Sequence, residues 1–358
     1  MPIHTLSADA ALHTWHTFDA VIDARTPAEY QEDHLPGAIN WPTLSDDERV
    51  LIGTMYKQVN AFEAKKRGAA LSARNIAAHI EQHVIDKPKG WRPLVYCWRG
   101  GNRSGALATI LSAIGFPVTL VEGGYKAWRK ALIDDLTPLA HRLRFQVVCG
   151  PTGSGKTRLL HALARQGAQV LDLEGLACHR SSVLGGVPGQ AQPSQKQFDS
   201  RVWAALQGFD PHRLVFVESE SKKVGNVRVP DALMDRIRAS DCVNLVLDDA
   251  ERVALLLEDY PHFLQDSAWF CERLSTLIPI RGRETVEQWM GLVKAGRSAD
   301  VVNALLSHHY DPVYAASIRR NFARFPEARE CHLRDRSSLA LDELAAELVR
   351  DQRSTAIA

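Results

Sequence analysis

The stretch FQVVCGPTGSGKT, from Phe145 to Thr157, decides how the second half of the chain folds. FQVVCG reads as a short buried strand, and GPTGSGKT follows it directly. The pattern G-x-x-x-x-G-K-[ST] requires this context: a strand, a glycine-rich turn, then a helix. The loop of Gly150, Gly153, Ser154 and Gly155 holds phosphate oxygens through its backbone. Lys156 neutralises them, and Thr157 can ligate Mg²⁺. The motif recognises a di- or triphosphate and not a base. A chance glycine-rich turn is the bland alternative, and the flanking strand and helix argue against it.

Outward from this loop, AQVLDL (Ala168 to Leu173), LVFVES (Leu214 to Ser219) and CVNLVLD (Cys242 to Asp248) read as further strands. The second half is therefore α/β. Between its second and third strands lies LGGVPGQAQPSQKQ (Leu184 to Gln197), a polar loop long enough to be a lid, a binding loop or disordered. An acid on the metal side of a phosphate loop belongs at another strand end, which makes Asp172, Glu218 and Asp248 the candidates. Glu218, Glu220, Lys222 and Lys223 cluster in VFVESESKK, a site or else a solvated loop. Beyond Asp248 the pattern is helical to the end.

The first third also alternates strands and helices, which implies a parallel sheet covered on both faces. FDAVID (Phe18 to Asp23), LVYC (Leu94 to Cys97) and VTLVEGG (Val118 to Gly124) are strands. In TPAEY, Thr26 can cap a helix, Pro27 suits its first position and Glu29 completes a capping box. After LVYC comes the loop Trp98, Arg99, Gly100, Gly101, Asn102, Arg103, and then an apolar helix. The glycines let N–H groups converge on one point. The helix adds its positive end, and the two arginines add full charge. Such surroundings favour a thiolate at Cys97 and an incoming anion beside it. A buried cysteine at a strand end is the alternative. Cys97 and Arg103 also fit a Cys-x5-Arg phosphatase. Against that stand Tyr96, where such enzymes carry histidine, and the lack of an evident acid.

The chain has 358 residues, 45% hydrophobic and 24% charged, with a formal net charge of +1. That is a soluble globular composition with room for two domains, and any nucleic-acid site must be a local patch. The six cysteines form no CxxC pair, which excludes zinc-ribbon and thioredoxin readings. Their sparseness points to a reducing cytoplasm. No signal peptide and no membrane-length apolar run is visible. The expected organisation is a thiol domain over 1–135, a charged linker over 136–144, a phosphate-loop domain over 145–280 and a helical, arginine-rich region over 281–358. In that last region Arg281, Arg283, Arg319, Arg320 and Arg324, with interleaved aromatics, are candidates to contact RNA, as are Lys222 and Lys223. The bland reading is a helical surface with its aromatics in the core.

VIDART-PAEY, HLPGAIN, YCWRGGNRS and LVEGGYKAW, in this order, resemble a rhodanese domain over roughly residues 1–135. The thiol loop is longer by a residue than in common sulfurtransferases, which suits a larger donor or anion than thiosulfate. With GPTGSGKT, LDLEGLACHRSS, FVESESKKVGNVRVP and HYDPVY, the whole chain resembles the bacterial tRNA 2-selenouridine synthase family. The resemblance implies a cytoplasmic tRNA-modifying enzyme that replaces sulfur by selenium in wobble 2-thiouridine. It implies geranyl diphosphate and selenophosphate as co-substrates and Cys97 as the residue that carries selenium. Because that chemistry needs no nucleotide hydrolysis, the phosphate loop is expected to grip the diphosphate of geranyl diphosphate. Two other readings stay open at this point: a sulfurtransferase fused to an ATP-dependent kinase-like domain, and a nonenzymatic rhodanese-type adaptor.

Overall fold

Residues 2–180 and 189–355 are described by the structure, a computed structural model. Of the polar loop expected at 184–197, residues 184–188 lie outside the described residues. The chain divides into two compact units, Met1–Pro138 with Pro193–Ala204, and Leu139–Gln192 with Ala205–Ala358.

The first unit is built on five parallel strands: β1 (His4–Leu6), β2 (Ala20–Asp23), β3 (Ile39–Asn40), β4 (Pro93–Tyr96) and β5 (Thr119–Val121). Their order is β1-β5-β4-β2-β3. β4 is central and buried along its whole length, which is why PLVY is an unbroken apolar run and not an alternating one. Ile22, Leu107, Leu111 and Phe116 share a core with its Val95. The capping box forms as expected. Thr26 accepts from the Glu29 amide at 3.4 Å, and Glu29 accepts from the Thr26 amide at 3.1 Å.

The helix Gly124–Arg142 runs through most of the stretch expected to be a linker and carries Pro138 inside it. An internal proline costs roughly 3 kcal/mol. Leu132, Leu136, Leu139 and Ala140 on the same helix are buried, and this packing outweighs the local penalty. Residues 193–204 belong to this unit because Trp203 stands edge-on to Trp128 at 6.3 Å. The Trp203 indole also donates to Asp135 at 2.9 Å.

The second unit holds β6 (Arg144–Cys149), β7 (Gln169–Leu171), β8 (Leu214–Glu218), a small antiparallel hairpin of β9 (Lys223–Val224) and β10 (Val227–Arg228), then β11 (Asp241–Val246) and β12 (Arg329–His332). The five-stranded parallel sheet has the order β12-β11-β6-β8-β7. β6 lies between β8 and β11, so the chain leaves it at a topological switch point, where α/β sheets bind ligands. The helix Lys156–Arg165 buries Leu159, Leu160, Ala162 and Leu163 in a core shared with Val148, Phe216 and Leu245.

β12 departs from the helical expectation for the C-terminal region. Only Cys331 of its four residues is buried, so an edge strand of charged residues gives no apolar signal. The rest of the region is helical, around Phe270, Leu274, Trp289, Val301 and Leu305. Among the described residues no helix is long and apolar enough to cross a membrane.

Candidate functional site

The first unit presents Cys97 just past the end of β4. The amide of Gly101 donates to its sulfur at 3.3 Å, and the Ser104 hydroxyl donates at 3.1 Å. Gly101 caps the helix Asn102–Ile114, so the sulfur sits at that helix's positive end. The loop is locked from the opposite side. Tyr125 and Lys126, in the first turn of the helix Gly124–Arg142, donate their amides to the carbonyls of Cys97 and Trp98 at 2.8 and 3.0 Å. Gly124 makes this approach possible. A Cβ there would lie 2.3 Å from the Cys97 carbonyl oxygen and 2.5 Å from the Gly100 nitrogen, at φ +58°. The double glycine of LVEGG is thus a docking point for the thiol loop.

The two arginines of the loop diverge. Arg103 turns to Glu29, with Nη1 2.5 Å from Oε2. Burial opposes ionisation of Glu29, but the hydrogen bond and charge of Arg103 hold its carboxyl below the ordinary range. The TPAEY capping box is thereby tied to the thiol loop. Arg99, Gly100, Gly101 and Asn102 are exposed at the rim, and Trp98 stacks on Tyr125 with centroids 5.4 Å apart. Beneath them Asp23, Arg25 and Tyr96 form a buried network. Arg25 Nη2 lies 2.6 Å from Asp23, and the Tyr96 hydroxyl donates to Asp23 at 2.8 Å. Tyr96, which argued against a phosphatase, is therefore part of the foundation of the strand.

The second unit presents the phosphate loop at the end of β6. Lys156 Nζ bonds the carbonyls of Gly150 and Pro151 at 2.8 and 3.2 Å, so its ammonium lies across the loop. Gly153 and Gly155 adopt positive φ, and buried Ser154 donates its amide to Pro151 at 3.2 Å. The Thr157 hydroxyl reaches Glu218 at 3.1 Å and Glu174 at 3.5 Å. Of the acids expected on the metal side, Glu218 is in place. Asp172 instead caps a short helix through the Gly175 amide at 2.8 Å, and Asp248 is exposed.

Glu174, Glu218 and Glu220 place one oxygen each within 4.8 Å of one another. Burial, then Glu174 and Glu220, push the Glu218 carboxyl well above the ordinary range. Hard oxygen donors around a carboxyl that resists ionisation fit a Mg²⁺-type cation. These side chains line a cavity of about 570 Å³ with Lys156, Arg180 and Arg320.

Several residues that build this cavity have no signal in the phosphate-loop motif itself. Tyr314 accepts a hydrogen bond from the Gly150 amide at 2.6 Å. Buried Arg252 donates to the Thr152 carbonyl at 2.8 Å and to Asp311 at 2.6 Å. Asp311 and Tyr314 both belong to HYDPVY, so that motif serves as a brace for the phosphate loop. Glu174 belongs to LDLEGL, two residues past Asp172, and its place just after a strand is the signal that marks it.

The basic residues proposed to meet RNA differ in their partners. Lys222 pairs with Asp231 at 2.9 Å and Arg324 with Asp241 at 2.8 Å. Arg281 bonds His309 at 2.9 Å, and Arg283 lies 3.6 Å from Glu287. Lys223 and Arg319 are exposed, and Arg320 faces the cavity. Phe322 is buried, as the bland reading of the aromatics expects.

Residues 143–276 match the family model "tRNA 2-selenouridine synthase AAA domain", and residues 7–131 match the rhodanese-like domain. A tRNA 2-selenouridine synthase of Nitrosomonas europaea is 31% identical, with 84% of this chain and 89% of that protein covered. One from Marinobacter nauticus is 33% identical, covering 82% and 87%. The chain belongs to the tRNA 2-selenouridine synthase family. A rhodanese-related protein of Thermoplasma volcanium shares 19% identity over 36% of this chain and 91% of its own, at a TM-score of 0.24. The match of both units to this one family, and not the mere presence of two loops, sets the chain apart from the kinase-like fusion and the adaptor.

Proposed function

We propose that this chain converts wobble 2-thiouridine of tRNA to 2-selenouridine in two steps, one in each unit. In the second unit the thiocarbonyl sulfur attacks the allylic carbon of geranyl diphosphate, and diphosphate leaves. The Gly150–Thr157 loop and Lys156 hold the diphosphate and take up its growing charge. Thr157, Glu218, Glu174 and Glu220 would hold a Mg²⁺, which when bound supplies further neutralisation of the leaving group. In the first unit the Cys97 sulfur attacks the phosphorus of selenophosphate and releases selenide, which adds at C2 of the alkylated base; geranylthiol departs with a proton, and water then cleaves the S–P bond to free phosphate and Cys97. Alkylation matters because a thiocarbonyl is a poor leaving group and a thiol a better one.

The single observation that carries the reading is the pair of donors on the Cys97 sulfur, Gly101 N–H at 3.3 Å and Ser104 Oγ at 3.1 Å. Both are aimed at the sulfur from a loop whose rim, Arg99 to Asn102, is exposed. The test is mass analysis of nucleosides after incubating thiolated tRNA with geranyl diphosphate and selenophosphate, each omitted in turn. Cys97→Ser is expected to accumulate S-geranyl-thiouridine, and Lys156→Ala to leave 2-thiouridine unchanged. Loss of geranylation in Cys97→Ser, or full geranylation in Lys156→Ala, would refute the division of labour.

A further inference from the structure

Beside the phosphate cavity the second unit leaves an apolar slot. Thr152, Leu256, Tyr260 and Tyr310 line both spaces, so one adjoins the other. The remaining lining is hydrocarbon or aromatic, with Leu257, Phe263, Leu264 and Val302 among it, and among the described residues no charged side chain contributes. Leu256, Leu257 and Val302 are only half-buried, and Leu264 is 50% exposed. Apolar side chains left this open beside a phosphate loop gain from a hydrocarbon partner.

We propose that this slot holds the isoprenyl tail of the diphosphate bound on Gly150–Thr157, and so sets the chain length the enzyme accepts. The inference rests on the reading of that loop as a prenyl-diphosphate clamp. The chemistry of the slot separates a tail from a nucleobase. A purine placed there would lose hydrogen bonds to its ring nitrogens and amino group, because among the described residues the lining side chains offer only the hydroxyls of Thr152, Tyr260 and Tyr310. A hydrocarbon chain has none to lose.

Calorimetry on the full chain with inorganic pyrophosphate and with dimethylallyl, geranyl and farnesyl diphosphates tests this. The wild type is expected to bind geranyl diphosphate on the order of tenfold or more tighter than pyrophosphate, from burial of the tail. Val302→Phe fills the slot, and Leu264→Asp places a charge at its exposed mouth. Both are expected to bind pyrophosphate as the wild type does and to lose most of the geranyl advantage, with dimethylallyl diphosphate least affected. If both variants keep that advantage, the tail lies elsewhere and this inference is overturned while the clamp reading stands. If the wild type binds ATP but no prenyl diphosphate, the clamp reading falls and this inference with it.

Discussion

The hydroxyl of Thr157 lies 3.1 Å from one carboxylate oxygen of Glu218 and 3.2 Å from the other, so the start of the phosphate-loop helix and the end of β8 meet at one point. Glu218 is buried beside Glu174 and Glu220, and ionising it without a cation is costly. Glu218→Gln is therefore expected to be more stable than the wild type in chelator at neutral pH, by on the order of 1–3 kcal/mol. Millimolar Mg²⁺ should raise the melting temperature of the wild type and leave that of the variant unmoved. A wild type indifferent to Mg²⁺ would contradict the assignment.

Ser104 donates to the sulfur of Cys97, and replacing it by alanine removes one of the two hydrogen bonds that the sulfur accepts. Ser104→Ala should slow alkylation of Cys97 by iodoacetamide at pH 7 roughly tenfold, the size expected for a hydrogen bond to a charged group. Geranylation should be untouched. An unchanged alkylation rate would show that the hydroxyl does not support the thiolate.

Gly124→Ala forces a Cβ against the Cys97 carbonyl and the Gly100 nitrogen, at a backbone angle that disfavours any side chain. A loss of about 2–4 kcal/mol is expected, by analogy with overpacking and unfavourable backbone geometry. Urea denaturation would measure it. A midpoint equal to that of the wild type would mean the loop and the helix can separate freely.

Glu29 and Arg103 give the first unit a pH signature. The carboxyl of Glu29 is held below its ordinary value of 4.5. Such a group adds stability above that value and loses it as pH falls through the lowered one. The stability difference between wild type and Glu29→Gln should be full at pH 6, shrink below about pH 4.5 and vanish in stronger acid. A difference that grows on acidification would reverse the sign and discount the pair.

Tyr314→Phe leaves the Gly150 amide without its acceptor. A buried donor left unpaired costs roughly 1–3 kcal/mol, and here that loosens the loop that must hold phosphate. Pyrophosphate binding should weaken about tenfold, measured by calorimetry, with Cys97 reactivity unaffected.

Both loops were legible because their chemistry is local. Each needs glycines, cations and a strand end within about ten residues, so the order of letters carries the geometry. The braces were not, because Tyr314 and Arg252 reach their loop across 164 and 100 residues. Nothing in the local sequence shows such a contact. Arg103 was legible as a charge but not in direction, since its partner Glu29 lies 74 residues earlier. β12 was hidden by its charged letters, and the helix through Pro138 by a residue that ordinarily breaks helices. In both cases tertiary packing overruled local preference.

The return of residues 193–204 to the first unit has a practical meaning for dissecting the protein. A fragment ending near residue 143, the natural cut between the two motif regions, would lack Trp203 and Asp199. Trp128 would lose its edge-on neighbour, and Arg129 would lose Asp199 and keep only the more distant Asp33 at 3.9 Å. Such a fragment is expected to be sticky and less stable even with every residue of the thiol loop present. A self-sufficient half would need that later segment spliced back on.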